Sequence, residues 1–156
     1  YINKKDANAH DILLCVKDGE KQNAGSIQLT FFDILSDKTK QFGFKAVFPS
    51  GKVLACLGDE PFNEKCRNFV QNCDYLMCEA FCLYSQKDIF KPYEKFHSTA
   101  LDAGKLAESL FAKNLILYHT EDETLQTRKR TYTSEARTVF NGNIFVPDDF
   151  EVIDLK

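Results

Sequence analysis

The sequence predicts an α/β domain in which a mixed β-sheet is covered by helices. Two patterns carry this prediction: strand-like alternation dominates the first third of the chain, and strands then alternate with amphipathic helices. The chain has 156 residues, of which 44% are hydrophobic and 28% are charged. This size and composition are typical of one globular domain, so we expect residues 1–156 to fold as a single domain.

The first third of the chain predicts four strands, at residues 11–17, 26–33, 42–48 and 53–57. Asp18-Gly19 follows the first of them and is a hairpin turn signal. Alternate positions of the third strand are apolar, so Phe42, Phe44 and Phe48 share one face. The fourth strand is apolar on both faces, which indicates a central strand that is covered on both sides.

The rest of the chain predicts an alternation of helices and strands. Helices are expected at residues 62–71, 98–111 and 123–140, and strands at residues 73–78, 114–118, 144–146 and 151–155. The second helix begins with Thr99-x-x-Asp102, the pattern of a capping box. Asn141-Gly142 is a typical end for the last helix. The predicted order of elements is therefore ββββαβαβαββ.

The net charge argues against nonspecific nucleic-acid binding, and the hydropathy pattern argues against a membrane partner. The net charge is −3 with histidine neutral, and nonspecific binding to nucleic acid needs a basic face instead. No apolar run approaches the roughly 18–20 residues that span a bilayer, and residues 1–9 have no signal-peptide core. We therefore expect no membrane partner.

The six cysteines include no Cys-x-x-Cys pair, and their spacings fit no zinc-finger pattern. Cys15, Cys56 and Cys78 lie in apolar, strand-like runs, where a free cysteine behaves as a small hydrophobic residue. A chain of this length also builds a core without disulfides. The sequence thus predicts reduced thiols and a cytoplasmic protein. A metal-binding pair at Cys78/Cys82 or Cys66/Cys73 is the less favoured alternative.

Four chemically active side chains lie where strands end or a helix begins. Asp59, Glu79 and His119 follow the strands at residues 53–57, 73–78 and 114–118, and His97 precedes the second helix. Ligands of α/β sheets bind at the carboxyl ends of strands. Each residue alone has an ordinary structural explanation, such as a turn acid or a capping histidine, but their joint occurrence favours function. Oxygen and nitrogen donors suit Zn²⁺, Mn²⁺ or Fe²⁺, and a histidine beside an acid suits proton transfer.

Four motifs that contain these residues follow one another in a characteristic order. They are Leu57-Gly58-Asp59-Glu60-Pro61, Cys73-Asp74-Tyr75-Leu76-Met77-Cys78-Glu79-Ala80-Phe81, His97-Ser98-Thr99-Ala100-Leu101-Asp102-Ala103-Gly104 and Asn114-Leu115-Ile116-Leu117-Tyr118-His119. In this order the chain resembles, from about residue 27 to residue 155, the C-terminal half of a metallo-β-lactamase-fold hydrolase of the ribonuclease Z-like branch. The resemblance implies half of the αβ/βα sandwich of that fold. It also implies a metal-dependent hydrolase, a phosphodiesterase of the ribonuclease Z type, as the activity of the full-length protein.

The resemblance also implies a role for each site residue. Asp59 matches the carboxylate that bridges two metal ions, and His119 matches the last histidine ligand. His97 matches the histidine that stabilises or protonates the leaving group, and Glu79 matches the acid that orients it. The implied cofactor is a divalent metal, zinc before manganese or iron, because two ions about 3.5–4 Å apart activate water and stabilise displacement at phosphorus.

The chain departs from the family pattern in its metal ligands. The motif His-x-His-x-Asp-His is absent, His10 stands alone, and Cys78 occupies a position where the family often has histidine. Asp59 and His119 are two ligands, whereas a catalytic zinc needs three. We therefore expect this chain to be the C-terminal half of a longer hydrolase, or a degenerate relative, with Tyr1 as a cut edge. Metal binding by the chain alone should be weak or absent.

A half-fold also predicts partners. The strands that carry Phe31, Phe42, Phe44 and Phe48 would expose an apolar face, so we expect packing against the missing N-terminal half or against a second copy. The substrate would be a small molecule or a phosphodiester. A nucleic-acid substrate has only Arg128-Lys129-Arg130 in its favour, for which a solvated helix face is the ordinary explanation. The alternative function is a non-catalytic binding or scaffold module derived from the same fold.

Overall fold

Residues 15–155 contain seven strands, which form one mixed sheet in which neighbours in space are also neighbours along the chain. The structure is a computed structural model, in which residues 15–155 are described. The strands are β1 Lys21–Ala24, β2 Ile27–Asp33, β3 Phe42–Val47, β4 Val53–Cys56, β5 Tyr75–Glu79, β6 Asn114–Tyr118 and β7 Asn143–Phe145. The pairs from β1 to β4 are antiparallel and those from β4 to β7 are parallel, which confirms the predicted mixed sheet.

The first hairpin differs from the one that the sequence predicts. The strand expected at residues 11–17 lies partly outside the described residues, and residues 15–17 are not in a strand. The edge strand is β1 instead, and its mostly exposed side chains give no apolar alternation from which it could be recognised. Gly25 has a φ of +60° and forms with Ser26 the two-residue turn into β2. The turn at Asp18-Gly19 is present, with a φ of +73° at Gly19.

The helices are shorter than predicted and include turns that the sequence pattern did not reveal. They are α1 Arg67–Val70, α2 Lys87–Phe90, α3 Ala100–Ser109 and α4 Arg128–Arg137, with 3₁₀ turns at Glu64–Cys66, Tyr84–Gln86 and Tyr93–Lys95. The predicted helix at 62–71 is only a 3₁₀ turn followed by the single turn of α1. The predicted helix at 123–140 begins later, because the Glu121 carboxylate accepts the backbone N–H of Thr124 at 3.2 Å and holds this segment in a turn.

The capping box before α3 is confirmed. Thr99 Oγ1 accepts the backbone N–H of Asp102 at 3.3 Å, and Asp102 Oδ2 accepts the backbone N–H of Thr99 at 3.1 Å. Two N–H groups at the helix start are thereby satisfied.

By contrast, the strand predicted at residues 151–155 is absent. That segment is irregular, and its side chains Ile153 and Leu155 pack against the sheet.

One face of the sheet is covered by helices, and we call it the covered face. Its core combines strand residues such as Phe32, Leu76 and Leu115 with residues of α3 and α4, for example Ala103 and Tyr132. Phe32, Leu76, Leu115 and Tyr132 are completely buried. The main hydrophobic core of the described chain therefore lies between the sheet and these two helices.

The opposite face, which we call the open face, has a smaller cluster to which no residue of α1–α4 belongs. Its members are Leu54, Tyr75 and Ile116, with partly buried Phe44, Phe48, Cys56, Met77, Phe145, Ile153 and Leu155 around them. Phe31 pairs with Phe44 across the β2–β3 ladder, so its side chain lies on the same face.

Within residues 15–155, no helix combines the length and the apolar character that crossing a membrane would require.

Candidate functional site

The carboxyl ends of the parallel strands β4, β5 and β6 lie at one edge of the sheet, which we call the site edge. Glu79 is the last residue of β5 and pairs with Tyr118, the last residue of β6. His119 follows β6 directly, and Asp59 lies three residues beyond β4. Parallel pairing of β4, β5 and β6 thus brings the three strand-end residues to the same side of the sheet.

Glu79 and His97 form a buried pair at this edge. Glu79 is 2% exposed and His97 is 9% exposed. Glu79 Oε1 accepts the backbone N–H of Ser98 at 2.6 Å, and Glu79 Oε2 lies 3.6 Å from His97 Nδ1. Neither of these last two atoms has a hydrogen-bond partner within the described chain, and their separation is longer than a hydrogen bond.

Burial shifts the acidity of both members of the pair. Desolvation raises the pKa of Glu79 to about 7, although the bonds from Ser98 and Phe81 oppose this shift. Desolvation lowers the pKa of His97, and the nearby His119 and Lys38 lower it further. Both shifts favour the neutral form of each group, as expected for ionisable side chains removed from water. The pair is therefore able to hold or release a proton near neutral pH.

The two histidines face each other across the site edge. The centroids of the His97 and His119 rings are 4.9 Å apart. Phe81 stacks on His97 with a centroid distance of 5.1 Å and contacts His119 at 6.5 Å. His119 is exposed and has a φ of +54°, a left-handed conformation that non-glycine residues seldom adopt and that is often found at functional positions.

Asp59 belongs to a loop that is fixed by a neighbouring strand. Gly58, with a φ of +77°, turns the chain away from β4. The Tyr118 hydroxyl donates a hydrogen bond to the Gly58 carbonyl oxygen and lies 3.6 Å from Cys56 Sγ. The charge of Asp59 raises the pKa values of both Glu79 and His97, so Asp59 acts electrostatically on the buried pair.

Several residues at this edge were not recognised from the sequence. Phe81 looks like an ordinary core residue, and Tyr118 looks like one more position of an apolar strand. Lys38 lies in the loop between β2 and β3, far from the other site residues in sequence. Its ammonium group pairs with buried Glu60 at 3.4 Å. No local sequence pattern could have identified Lys38 as a residue of the site edge. Phe81 could have been identified, because it lies two residues after Glu79.

The donors of this chain do not complete a metal site. Among the described residues, no group of three or more His, Cys, Asp or Glu side chains is arranged to hold a metal ion. The four residues of the site edge thus provide two expected metal ligands, Asp59 and His119, beside a histidine–carboxylate pair. All six cysteines are free, and burial raises the pKa of Cys73 to about 11 and that of Cys82 to about 12. Such neutral thiols are poor metal ligands.

Two of the three basic side chains at the start of α4, those of Arg128 and Lys129, are bound by neighbouring polar groups. Arg128 donates to Thr120 Oγ1 at 2.9 Å and to Asp148 Oδ1 at 3.0 Å. Lys129 pairs with Asp148 at 3.0 Å and also with Glu151. The sequence expectation of an ordinary charged helix face therefore fits better than a free phosphate-binding patch.

The chain is similar in sequence to proteins named ribonuclease Z. No family model matches the chain. Ribonuclease Z of Bacillus cereus strain AH187 is 32% identical over 98 residues, covering 63% of this chain and 31% of the relative. Ribonuclease Z of Bacillus cereus strain B4264 is 30% identical over 116 residues, covering 73% and 37%. The chain thus spans about a third of the length of the curated relatives that it matches.

Solved structures show the same fold. The metallo-β-lactamase fold protein YhfI of Bacillus subtilis superposes with a TM-score of 0.70 at 19% identity, covering 86% of this chain and 52% of that one. Human tRNase Z, short form, superposes with a TM-score of 0.64 at 22% identity, covering 86% and 46%. The Zn²⁺-bound PqqB of Methylobacterium extorquens gives 0.64 at 13% identity, covering 90% and 55%.

Proposed function

The chain is a ribonuclease Z-like protein with the metallo-β-lactamase fold, and we propose that it is the C-terminal half of a metal-dependent phosphodiesterase. The observation that carries the proposal is the meeting of His97, His119 and Glu79 at the site edge, with Asp59 close enough to act on their charge. The sequence similarity to enzymes named ribonuclease Z supports a phosphodiester as the bond that is hydrolysed.

In this proposal Asp59 and His119 would be two ligands of a divalent metal centre, and the remaining ligands would come from the N-terminal half of the fold. A carboxylate and a neutral imidazole are both common ligands of zinc. Zinc is the proposed ion, supported by the Zn²⁺-bound structural neighbour. Since the described residues form no complete site, this chain alone should bind the ion weakly.

The Glu79–His97 pair would handle the proton of the reaction. Because Nδ1 of His97 faces Glu79, Nε2 is the atom left to meet a substrate. Glu79 would fix the ring and keep a proton on Nδ1. A second proton, taken up from water on Nε2, would make His97 an imidazolium, which would then donate that proton to the leaving oxygen. Phe81, stacked on the imidazole, would hold the ring in this orientation and exclude water from one of its faces.

The open face is the surface on which we expect the missing half, or a second copy, to pack. Phe44, Phe48, Met77 and Phe145 are only partly buried there, and an apolar surface of this kind marks an interface. Light scattering should therefore detect a dimer of the isolated chain, and a strict monomer at high concentration would contradict this part of the proposal.

The six free cysteines support a reducing compartment, the cytoplasm, as the location.

The activity is tested on the full-length protein that carries this chain. We expect it to hydrolyse bis-p-nitrophenyl phosphate in preference to thioester and lactam substrates. Asp59→Asn and His97→Ala should each lower kcat at least about 100-fold, because one removes a metal ligand and the other removes the proton donor. Asp154→Asn is the matched control, since Asp154 is an exposed acid that lines a cavity with Tyr75 and Asn114, the first residues of their strands.

Metal binding separates the two parts of this proposal. Titration with Zn²⁺ should give tight, stoichiometric binding by the full-length protein and weak binding by the isolated chain. Tight binding by the isolated chain would contradict the missing-half proposal. If Asp59→Asn and His97→Ala leave hydrolysis by the full-length protein unchanged, the chain is instead a non-catalytic module of that assembly.

A further inference from the structure

One side of α4 makes polar contacts with the chain segments that carry the two histidines of the site edge. Arg128, Tyr132 and Glu135 are spaced i, i+4 and i+7 along this helix, so their side chains leave it on the same side. We call these three residues the α4 contact face. Tyr132 is completely buried, and the Arg128 side chain is 11% exposed. The contact face therefore points into the protein and not into water.

The backbone of Phe81 joins the two histidine-bearing segments. Its N–H donates to the carbonyl oxygen of Ser98, the neighbour of His97, at 2.9 Å. Its carbonyl oxygen accepts the N–H of Glu121, two residues after His119, at 2.8 Å. The Phe81 ring also contacts both imidazoles. The position of Phe81 therefore affects the distance between the two histidine rings directly.

Tyr132 holds Phe81 from the side of α4. The Tyr132 hydroxyl donates to the Phe81 carbonyl oxygen at 3.1 Å and lies 3.5 Å from Glu121 Oε1. Burial, together with the charge of Glu121, raises the pKa of the Tyr132 hydroxyl. The hydroxyl thus keeps its proton at neutral pH and remains a hydrogen-bond donor to the backbone of Phe81.

Glu135 joins the two ends of the segment that contains His97. Its Oε1 atom accepts the backbone N–H of Tyr84 at 2.8 Å and that of Leu101 at 3.1 Å. Leu101 lies in the first turn of α3, where backbone N–H groups lack partners within the helix and a negative charge is favourable. One carboxylate oxygen therefore fixes residues 84–101 at both ends, with His97 between them.

Arg128 holds the segment of the other histidine. Its Nη1 atom donates to the hydroxyl of Thr120, the residue after His119, at 2.9 Å, and its Nη2 atom donates to Asp148 at 3.0 Å. His119 has a φ of +54°, and such a left-handed conformation persists only where neighbouring contacts hold it. The contact between Arg128 and Thr120 is one of these.

We propose that Tyr132 and Glu135 set the position of His97 relative to His119, whose own segment is held by Arg128. These are positioning residues, because each acts through other groups and none of them touches the substrate. The inference rests on the proposed function for the reaction that the histidines serve. The distance between the two rings, however, can be followed without turnover.

The first test compares two substitutions of Glu135 in the full-length protein. Glu135→Ala leaves two N–H groups without their acceptor, and kcat for bis-p-nitrophenyl phosphate should fall at least about 10-fold, since a misplacement of about 1 Å can cost about 100-fold. KM should change less than about 2-fold, because positioning acts on the chemical step. Glu135→Gln retains a carbonyl oxygen for the same N–H groups and should restore kcat to within about 3-fold of the wild type.

Tyr132→Phe is a second variant, which keeps the buried ring and removes only the hydroxyl. It should lower kcat about 5-fold, again with little change in KM. Tyr84→Phe makes the same chemical change on an exposed ring, and Glu108→Ala makes the same truncation as Glu135→Ala at an exposed position of α3. Both controls should keep the wild-type kcat. Circular dichroism checks that every variant is folded.

The second test measures the ring contact without metal or substrate. In the full-length protein with a metal chelator, the ring protons of His97 and His119 should show a nuclear Overhauser effect, because the ring centroids are 4.9 Å apart. Their signals are assigned with His97→Ala and His119→Ala. Glu135→Ala and Tyr132→Phe should lose most of this effect, whereas Glu135→Gln and both controls should retain it.

Several results would overturn the inference. They are an unchanged kcat in both Glu135→Ala and Tyr132→Phe, a lowered kcat with an unchanged Overhauser effect, and the absence of that effect in the wild type. A Glu135→Gln variant as slow as Glu135→Ala would overturn the role assigned to Glu135. If the full-length protein does not hydrolyse phosphodiesters but the variants still lose the Overhauser effect, α4 positions the rings and only the catalytic proposal is lost.

Discussion

The covered face and the open face of the sheet are built from the same strands but are buried to different extents. On the covered face, α3 and α4 enclose completely buried residues such as Phe32 and Leu115. On the open face, no residue of those helices joins the cluster around Leu54 and Ile116, and the surrounding aromatic side chains keep part of their surface in water. The difference predicts that most of the stability of the chain comes from packing on the covered face, whereas apolar surface stays partly exposed on the open face.

The largest expected effect comes from equal truncations on the two faces. Phe32→Ala should lower the free energy of unfolding by about 3–5 kcal/mol, because Phe32 is completely buried and stacks on Phe69 at 5.1 Å. Phe44→Ala should lower it by about 1–2 kcal/mol, since Phe44 is only partly buried. Urea unfolding monitored by circular dichroism measures both values.

A Phe44→Ala effect as large as that of Phe32→Ala would contradict the comparison for the isolated monomer. Protein concentration then provides the control. If the effect of Phe44→Ala grows with concentration, a second copy covers the open face and stabilises the chain by mass action. If it does not change with concentration, the open face is as well packed as the covered one.

The second effect concerns the site edge, where strands β4, β5 and β6 end. Glu79 has a pKa of about 7 in the folded chain, against 4.5 as its ordinary value. A carboxyl with a raised folded pKa contributes stability below its unfolded pKa and loses it as pH rises towards the folded pKa. The wild type should therefore lose up to about 3 kcal/mol between pH 4.5 and 7 relative to Glu79→Gln.

Urea unfolding of the wild type and of Glu79→Gln at a series of pH values checks this prediction. His97 contributes in the opposite direction, because its lowered pKa adds stability as pH rises towards 6.5, and that contribution remains in the variant. Glu108→Gln makes the same chemical change at an exposed position of α3 and should leave the pH profile as in the wild type. Parallel profiles for Glu79→Gln and the wild type would show that Glu79 titrates normally.

The smallest effect concerns the capping box at the start of α3, a helix that packs on the covered face. Thr99→Ala removes the side-chain acceptor of the capping box and should lower the free energy of unfolding by about 1 kcal/mol. Thr99→Ser retains the hydroxyl and should restore most of that loss. Thermal unfolding of the two variants measures the difference, and an Ala variant as stable as the Ser variant would mean that the packing of α3, rather than its cap, fixes its start.

Local patterns predicted most of the regular elements. Strand β6 occupies the predicted residues 114–118, and β2, β3 and β4 match within a residue or two, because buried strands carry an apolar signature that is visible in sequence. The elements that were not predicted lack an apolar pattern. β1 is exposed and polar, and the turns between Leu83 and Phe96 follow no period, so neither has a hydrophobic pattern to detect. The expected strand at residues 151–155 is apolar because it packs on the open face, not because it pairs.

Local patterns were enough to locate the candidate site residues: Asp59, Glu79 and His119 follow their strands, and His97 precedes α3. A strand and its end are local features, so short-range patterns reveal them. The contacts among these residues are visible only in the folded chain, where His97 lies against Glu79 and His119, Lys95 and Phe81 flank them, and Lys38 reaches the same edge. These distances are set by parallel strand pairing and helix packing, which join residues far apart in the chain.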